Sequence, residues 1–228
     1  MIRDLLASRA EMEALGKRIS RKPFDTIYDT LRKRCSLILE SQPVTETQWM
    51  LLSQQGSGAA ALNAARTSQG RLLDLIVAHR IDPNPAFRDR AIEELRNLIG
   101  WSTWVDPSHN ALSADLCTAE SAVGAIVALD WLWDDLRRAD RLRVLQAIRN
   151  KAVKPYLDAV AQQSWWYSCY HNWNAVVNGG CGLAALALGD QDQGAVELGL
   201  RLAHAFPSEM RISCSASITN SSSGSQLR

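Results

Sequence analysis

Between residues 84 and 206 the chain alternates helices of two kinds, and this alternation limits the possible folds more than any other feature. Residues 84–99 place Phe87, Ile92, Leu95, Leu98 and Ile99 on one stripe, with Arg88, Asp89, Arg90, Glu93, Glu94 and Arg96 around the rest. Asn84 and Pro85 open that segment with an N-cap side chain and a proline whose missing N–H costs nothing in a first turn. From Ala119 to about Leu136, behind a predicted Thr118 cap, Val123, Ala125, Ile126, Val127, Ala128, Leu129, Trp131, Leu132 and Trp133 leave almost no polar face before Asp134. Residues 139–162 are one-sided again, with Leu142, Leu145, Ile148, Tyr156, Leu157 and Val160 inward. Residues 173–188 are small and apolar up to Gly189, a glycine suited to follow a helix C-terminus, and 191–206 return to the one-sided pattern. Outer, inner, outer, inner, outer is the order that two concentric rings of antiparallel hairpins require, because an inner helix touches neighbours on all sides and an outer one on a single side. The expectation is an all-α fold, a partial (incomplete) α/α toroid over residues 1–206.

The upstream segment reads as helical too, with no run of alternating strand pattern. Helices are predicted over 8–19, 24–40 and 59–81, with Pro43 closing the second and residues 45–58 forming a loop. From Pro207 onward a Ser-rich stretch carries no helical pattern, so 207–228 is expected to be a disordered tail of the kind a truncation or frameshift would leave.

Composition removes several classes of function. Lys and Arg number 25 against 24 Asp and Glu, so no basic excess points to nucleic acid or an anionic membrane surface. No apolar run approaches the ~18 residues of a membrane span, and the first residues show no apolar segment of the export-signal kind. Cys35, Cys117, Cys169, Cys181 and Cys214 are odd in number and scattered, which suits free thiols rather than a disulfide framework.

Outer-to-inner connections must emerge at one end of such a toroid. They are 100–117, with Trp101, Trp104, Asp106 and His109, and 163–172, with Trp165, Trp166, Tyr170, His171 and Asn172, followed at once by Trp173 and Asn174. Aromatic faces with amide and imidazole groups suit a sugar ring, whose C–H faces stack and whose hydroxyls and carboxylates take hydrogen bonds. Helix N-termini aimed at the same rim favour an anionic ligand. Each of these residues also has a plainer reading. Trp101, Trp104, Trp165 and Trp166 are either rim platforms or loop anchors, His109 beside Pro107 could cap a turn, and Asn178 with Gly179 and Gly180 suits close helix contact. Trp131 and Trp133 are expected in the core, and His79 and His204 at surfaces.

Several segments together carry a family resemblance: Arg3-Asp4-Leu5-Leu6, Phe87-Arg88-Asp89-Arg90-Ala91, Trp101-Ser102-Thr103-Trp104, Asp115-Leu116-Cys117-Thr118-Ala119-Glu120 and above all His171-Asn172-Trp173-Asn174-Ala175-Val176-Val177-Asn178-Gly179-Gly180. In this order they resemble the N-terminal α/α toroid of heparinase II/III-like polysaccharide lyases. The resemblance implies β-elimination on uronic-acid polysaccharides, without metal or other cofactor, and a periplasmic or extracellular setting. Abstracting the proton at C5 of a uronate builds charge on the neighbouring carboxylate, which hydrogen-bond donors must neutralise. The resemblance implies that role for Asn172 or His171 as catalytic residues, with Asn174 in support. Trp101, Trp104, His109, Trp165, Trp166, Tyr170 and Trp173 are the expected substrate contacts. The family's catalytic Tyr and second His have no counterpart here, so the chain alone is expected to be inactive.

Two rivals remain open at this level. A toroidal glycoside hydrolase needs two facing carboxylates, for which Asp106, Asp115 and Glu120 are the acids well placed. A rim zinc site would draw on Cys117, Cys169, His171 or Cys181, whose spacing fits no zinc pattern.

Overall fold

The computed structural model describes residues 7–56, 59–109, 111–189 and 192–205, with backbone only for Arg9 and residues 203–205. Ten α-helices lie within these residues and no strand does: α1 (Arg9–Gly16), α2 (Phe24–Glu40), α3 (Glu46–Gln54), α4 (Ala60–Ile81), α5 (Pro85–Gly100), α6 (Leu116–Trp131), α7 (Arg138–Ile148), α8 (Lys154–Ala161), α9 (Asn172–Leu188) and α10 (Gln193–Ala205). The all-α expectation holds. The tail expected beyond residue 206, and the first quoted motif at Arg3–Leu6, lie outside the described residues.

Helices α4, α6 and α9 pack side by side as an inner row, with α6 in the middle. An outer layer covers them: α2 and α5 against α4, α7 against α5 and α6, and α10 against α9. Sequence character decides the layer. Helix α6 buries nearly every residue from Leu116 to Trp131, whereas α5 buries Phe87, Ala91, Leu95 and Leu98 and turns most of its charges outward. Arg90 and Glu94 are the exceptions. They pair inside at 2.7 Å, and Arg71 of α4 adds a second contact to Glu94 at 3.2 Å, so this buried group ties the outer helix to the inner one.

Glycine sets the closest approach in the inner row. A Cβ on Gly180 would fall 2.7 Å from the Cβ of Ala119 and 2.9 Å from its Cα, so α6 and α9 touch where both side chains are minimal. The small apolar character of 173–188 is what permits this. Gly189 then ends α9 at φ 78°, the glycine stop expected from the sequence.

Four expectations are corrected. Residues 45–58 are not all loop, because α3 forms behind a capping box in which Thr45 and Gln48 satisfy each other's backbone N–H groups. Helix α6 begins three residues earlier than expected. Asp115, not Thr118, is its N-cap, and Thr118 is the reciprocal partner in the box. The outer segment 139–162 is two α-helices joined through a π turn, Arg149–Val153. Pro155 offers no N–H to the carbonyl of Lys151 and its ring crowds that carbonyl, which the wider turn relieves. Trp133 is half-buried beyond the end of α6, with the Arg141 guanidinium 4.8 Å over its ring.

Candidate functional site

The loop from Trp101 to Asp115 is built around a buried carboxylate. Asp115 caps α6 by accepting the N–H groups of Cys117 at 2.9 Å and Thr118 at 3.1 Å on Oδ1. Its other oxygen accepts the Asp106 N–H at 2.9 Å and meets Nδ1 of His109 at 2.8 Å. Asp106 in turn takes the N–H and hydroxyl of Ser108 at 2.9 and 2.7 Å, which winds Pro107–His109 into a single 3-10 turn. Both aspartates are buried, at 0% and 2% exposure, so the polar cluster fixes the loop from within.

A carboxylate facing Nδ1 takes a hydrogen bond from that nitrogen when it carries a proton, and so fixes the orientation of the ring. The His109 side chain is 31% exposed while Asp115 is enclosed, so the solvent reaches the edge of the ring away from Nδ1. The sequence suggested Asp115 and His109 separately, and the capping box Asp115-Leu116-Cys117-Thr118 was the signal that would have paired Asp115 with this loop.

The second loop approaches the first here. Its polypeptide leaves α8, passes Gln163 at φ 54°, and winds Trp165–Ser168 into a 3-10 turn. Helix α9 then starts at Asn172 with His171 as N-cap, the imidazole Nδ1 accepting the Trp173 N–H at 3.5 Å. Trp173 sets its ring edge-on to His109 at 5.2 Å between centroids and lies 5.1 Å from Trp165, which is 6.2 Å from the His171 ring. Ser113 on the first loop also donates to Gln162 at 3.1 Å. The two outer-to-inner loops therefore share one end of the molecule, as the two-layer reading requires.

The expected contacts divide on burial. Trp165 and Tyr170 are exposed at 53% and 66%, and His171 and Asn172 are exposed beside them. Among the described residues the Asn172 amide makes no hydrogen bond, so it is available to a ligand. Trp101, Trp104 and Trp166 are corrected from rim platforms to loop anchors, because they are exposed by 3%, 2% and 0%. Trp101 packs edge-on against Trp49 of α3 at 5.5 Å, Trp104 donates its indole N–H to the Leu98 carbonyl at 3.1 Å, and Trp166 lies 5.7 Å from Tyr156. Asn174 is also buried and holds the loop, its amide donating to the Tyr167 carbonyl at 2.6 Å. It serves the loop and does not reach a surface ligand.

Beneath this loop lies a polar pair that the sequence did not disclose. Tyr156 of α8 donates its hydroxyl to Asn178 of α9 at 2.8 Å, and both are fully enclosed. Burial drives the Tyr156 phenol well above its ordinary range, which keeps it a neutral donor. Asn178 was expected to serve helix contact. It also anchors the tyrosine.

Among the described residues, none of the principal cavities is lined by His109, His171 or Asn172. The rival sites fare differently. Asp106 and Asp115 spend their oxygens on loop and cap, and Glu120 pairs with Arg66 at 3.1 Å, so these three acids do not form a pair facing across solvent. Cys117 and Cys181 are buried, and burial pushes both thiols far up, against the thiolate a metal needs. Among the described residues no three His, Cys, Asp or Glu side chains converge as a metal site. No family model matches the chain, and no curated protein is detectably similar to it.

Proposed function

We propose that the rim formed by residues 101–115 and 163–173 binds a uronic-acid polysaccharide, and that the two-layer fold is a partial α/α toroid of the polysaccharide-lyase kind. The observation that carries this reading is the His109–Trp173 ring contact, which joins the two loops into one surface with Trp165, His171 and Asn172. Trp165 offers an exposed face for a sugar ring, and Trp173 backs it. The Asn172 amide, at the N-terminus of α9, donates to the uronate carboxylate where the helix dipole already favours negative charge. His109 and His171 stand on either side of the tryptophans and address hydroxyls of neighbouring units. The same contacts would neutralise the carboxylate during β-elimination, with a base and closing surface from outside this rim.

Titrating the purified chain with uronate oligosaccharides and with neutral oligosaccharides of equal length, followed by tryptophan fluorescence, tests the reading. Uronate should bind preferentially, and Asn172→Ala should weaken it by about 10- to 100-fold, as removal of a hydrogen bond to a charged group does. Equal binding of neutral and acidic oligomers, or an Asn172→Ala variant that binds normally, would remove it. An assay for the ultraviolet-absorbing unsaturated product should give no signal from this chain alone.

A further inference from the structure

A crevice of about 400 Å³ lies between the C-terminal turn of α5 and the facing stretch of α7 and its π turn. Arg96 and Gly100 stand one turn apart on α5, and Arg143, Gln146, Asn150 and Lys151 follow one another opposite them at the spacing of a single helix face. Three cations and two amides therefore converge on one space, and no Asp or Glu is among the residues that line it. The space is unfilled at its α5 edge, where a Cβ on Gly100 would meet nothing within 4 Å. Asn150 and Lys151 belong to the π turn, a departure from α geometry that recurs at functional sites.

Each cation keeps donors that its own chain does not use. Arg96 gives Nε and Nη2 to Asp140, at 3.3 and 2.7 Å, and leaves Nη1. Lys151 donates two of its three N–H groups, to the Ile99 and Trp101 carbonyls at the end of α5. Asp140, three residues before Arg143, is taken by Arg96 and Arg137. Among the described residues Arg143 makes no ion pair, and the side-chain amides of Gln146 and Asn150 make no hydrogen bond. Burial lowers the Lys151 pKa from its ordinary value, with Glu46 opposing, and an anion beside the ammonium would offset that cost. Shape narrows the choice of anion. Donors on both walls suit a tetrahedral oxyanion, which offers acceptors in all directions, whereas a planar carboxylate turns both oxygens one way. The volume exceeds that of a free ion and leaves room for part of a molecule that carries it. A net charge of only +1 over the whole chain gives no extended basic surface for a polyanion.

We infer that the α5–α7 crevice binds the phosphate or sulfate group of a small ester, with Arg96, Arg143 and Lys151 supplying the charge and Gln146 and Asn150 the neutral donors. The inference stands apart from the carbohydrate reading, since none of these residues belongs to the rim. Arg143 is the cation with no other duty, so binding depends on it most directly.

Isothermal titration of the full chain with inorganic phosphate, sulfate and acetate, at low and constant ionic strength, gives the first test. Phosphate or sulfate should bind at one site, and acetate about 10-fold more weakly or worse. Arg143→Gln removes a charge, and Asn150→Asp sets a carboxylate in the crevice without changing its shape. Each should weaken binding about 10-fold or more while the thermal melt stays as it is, because neither side chain has a polar partner in its own chain. A hexose phosphate and a hexose sulfate then separate the two sources, and the tighter of them names the ester. No binding of phosphate or sulfate would overturn the inference, and so would acetate binding equally well. Binding indifferent to both Arg143→Gln and Asn150→Asp would place the ion elsewhere and overturn it too, as would free ions that bind when neither ester does.

Discussion

Asp115 holds the His109 imidazole at 2.8 Å with one carboxylate oxygen while the other caps α6. One enclosed side chain thereby does two jobs: it satisfies the first N–H groups of the inner helix and it orients the histidine that meets Trp173. Loop and helix are thereby joined through one side chain.

Asp115→Ala should therefore cost more than a lost cap. The cap alone contributes about 0.5–2 kcal/mol. The Asp106 N–H, buried and left without an acceptor, adds about 1–3 kcal/mol. A loss of roughly 2–4 kcal/mol in urea denaturation is expected from these two contributions. His109→Gln should cost much less, since the Asp115 carboxylate keeps its three N–H donors. Equal losses in the two variants would show that the histidine, not the cap, carries the loop.

Adjacent tryptophans should behave oppositely. Trp166 is fully enclosed against Tyr156, so Trp166→Ala should destabilise the fold by about 3–5 kcal/mol, the range for emptying a large aromatic site. Trp165 is 53% exposed, and Trp165→Ala should leave the melting temperature within about 2 °C while weakening uronate oligosaccharide binding several-fold. Thermal melts paired with the fluorescence titration measure both. A Trp165→Ala protein that melts early and binds normally would mark Trp165 as structural.

The layers of the helices between residues 84 and 206 were legible because burial on all sides leaves no room for polar residues, and the run from Ala125 to Leu129 shows that directly. The expected two-ended topology followed from it, and His109 against Trp173 is its outcome in space. Which tryptophans would be exposed was not legible. Trp165 and Trp166 are neighbours in sequence with the same side chain, and only the 3-10 turn sends one outward and the other toward Tyr156. Helix α3 was missed because Gly56, Ser57 and Gly58 dominated the reading of its segment, although Thr45 and Gln48 carry the capping signal. Pairings such as Tyr156 with Asn178 join residues far apart in the chain, and no local pattern announces them.

The two consecutive glycines of α9 give a paired prediction. Gly180→Ala puts a methyl group 2.7 Å from the Ala119 Cβ and 2.9 Å from its backbone, which cannot yield without moving α6 from α9. Destabilisation of about 1–3 kcal/mol is expected from such overpacking. Gly179→Ala meets open space and gains helix propensity, so it should stabilise by about 0.5–1 kcal/mol. Chemical denaturation of both variants checks the pair, and the opposite order would mean that α6 and α9 are further apart than described.

Asp140 provides the acid-sensitive contact of the outer layer. The Arg96 guanidinium, with Arg137 assisting, holds its carboxyl down at about 2 against the burial that opposes ionisation. Because the folded value lies below the ~3.9 of an unfolded aspartate, the native state binds fewer protons between these values. The contribution is complete above about pH 4 and is lost as the pH falls through about 2. Arg96 and Arg137 are 46% and 73% exposed, so solvent screening keeps the contribution below about 1 kcal/mol. Asp140→Asn should accordingly lower the stability slightly at pH 7 and converge with the natural protein toward pH 2. Urea titrations at pH 7, 4, 3 and 2 measure this; a difference that grew on acidification would show that Asp140 is held by burial and not by its arginines.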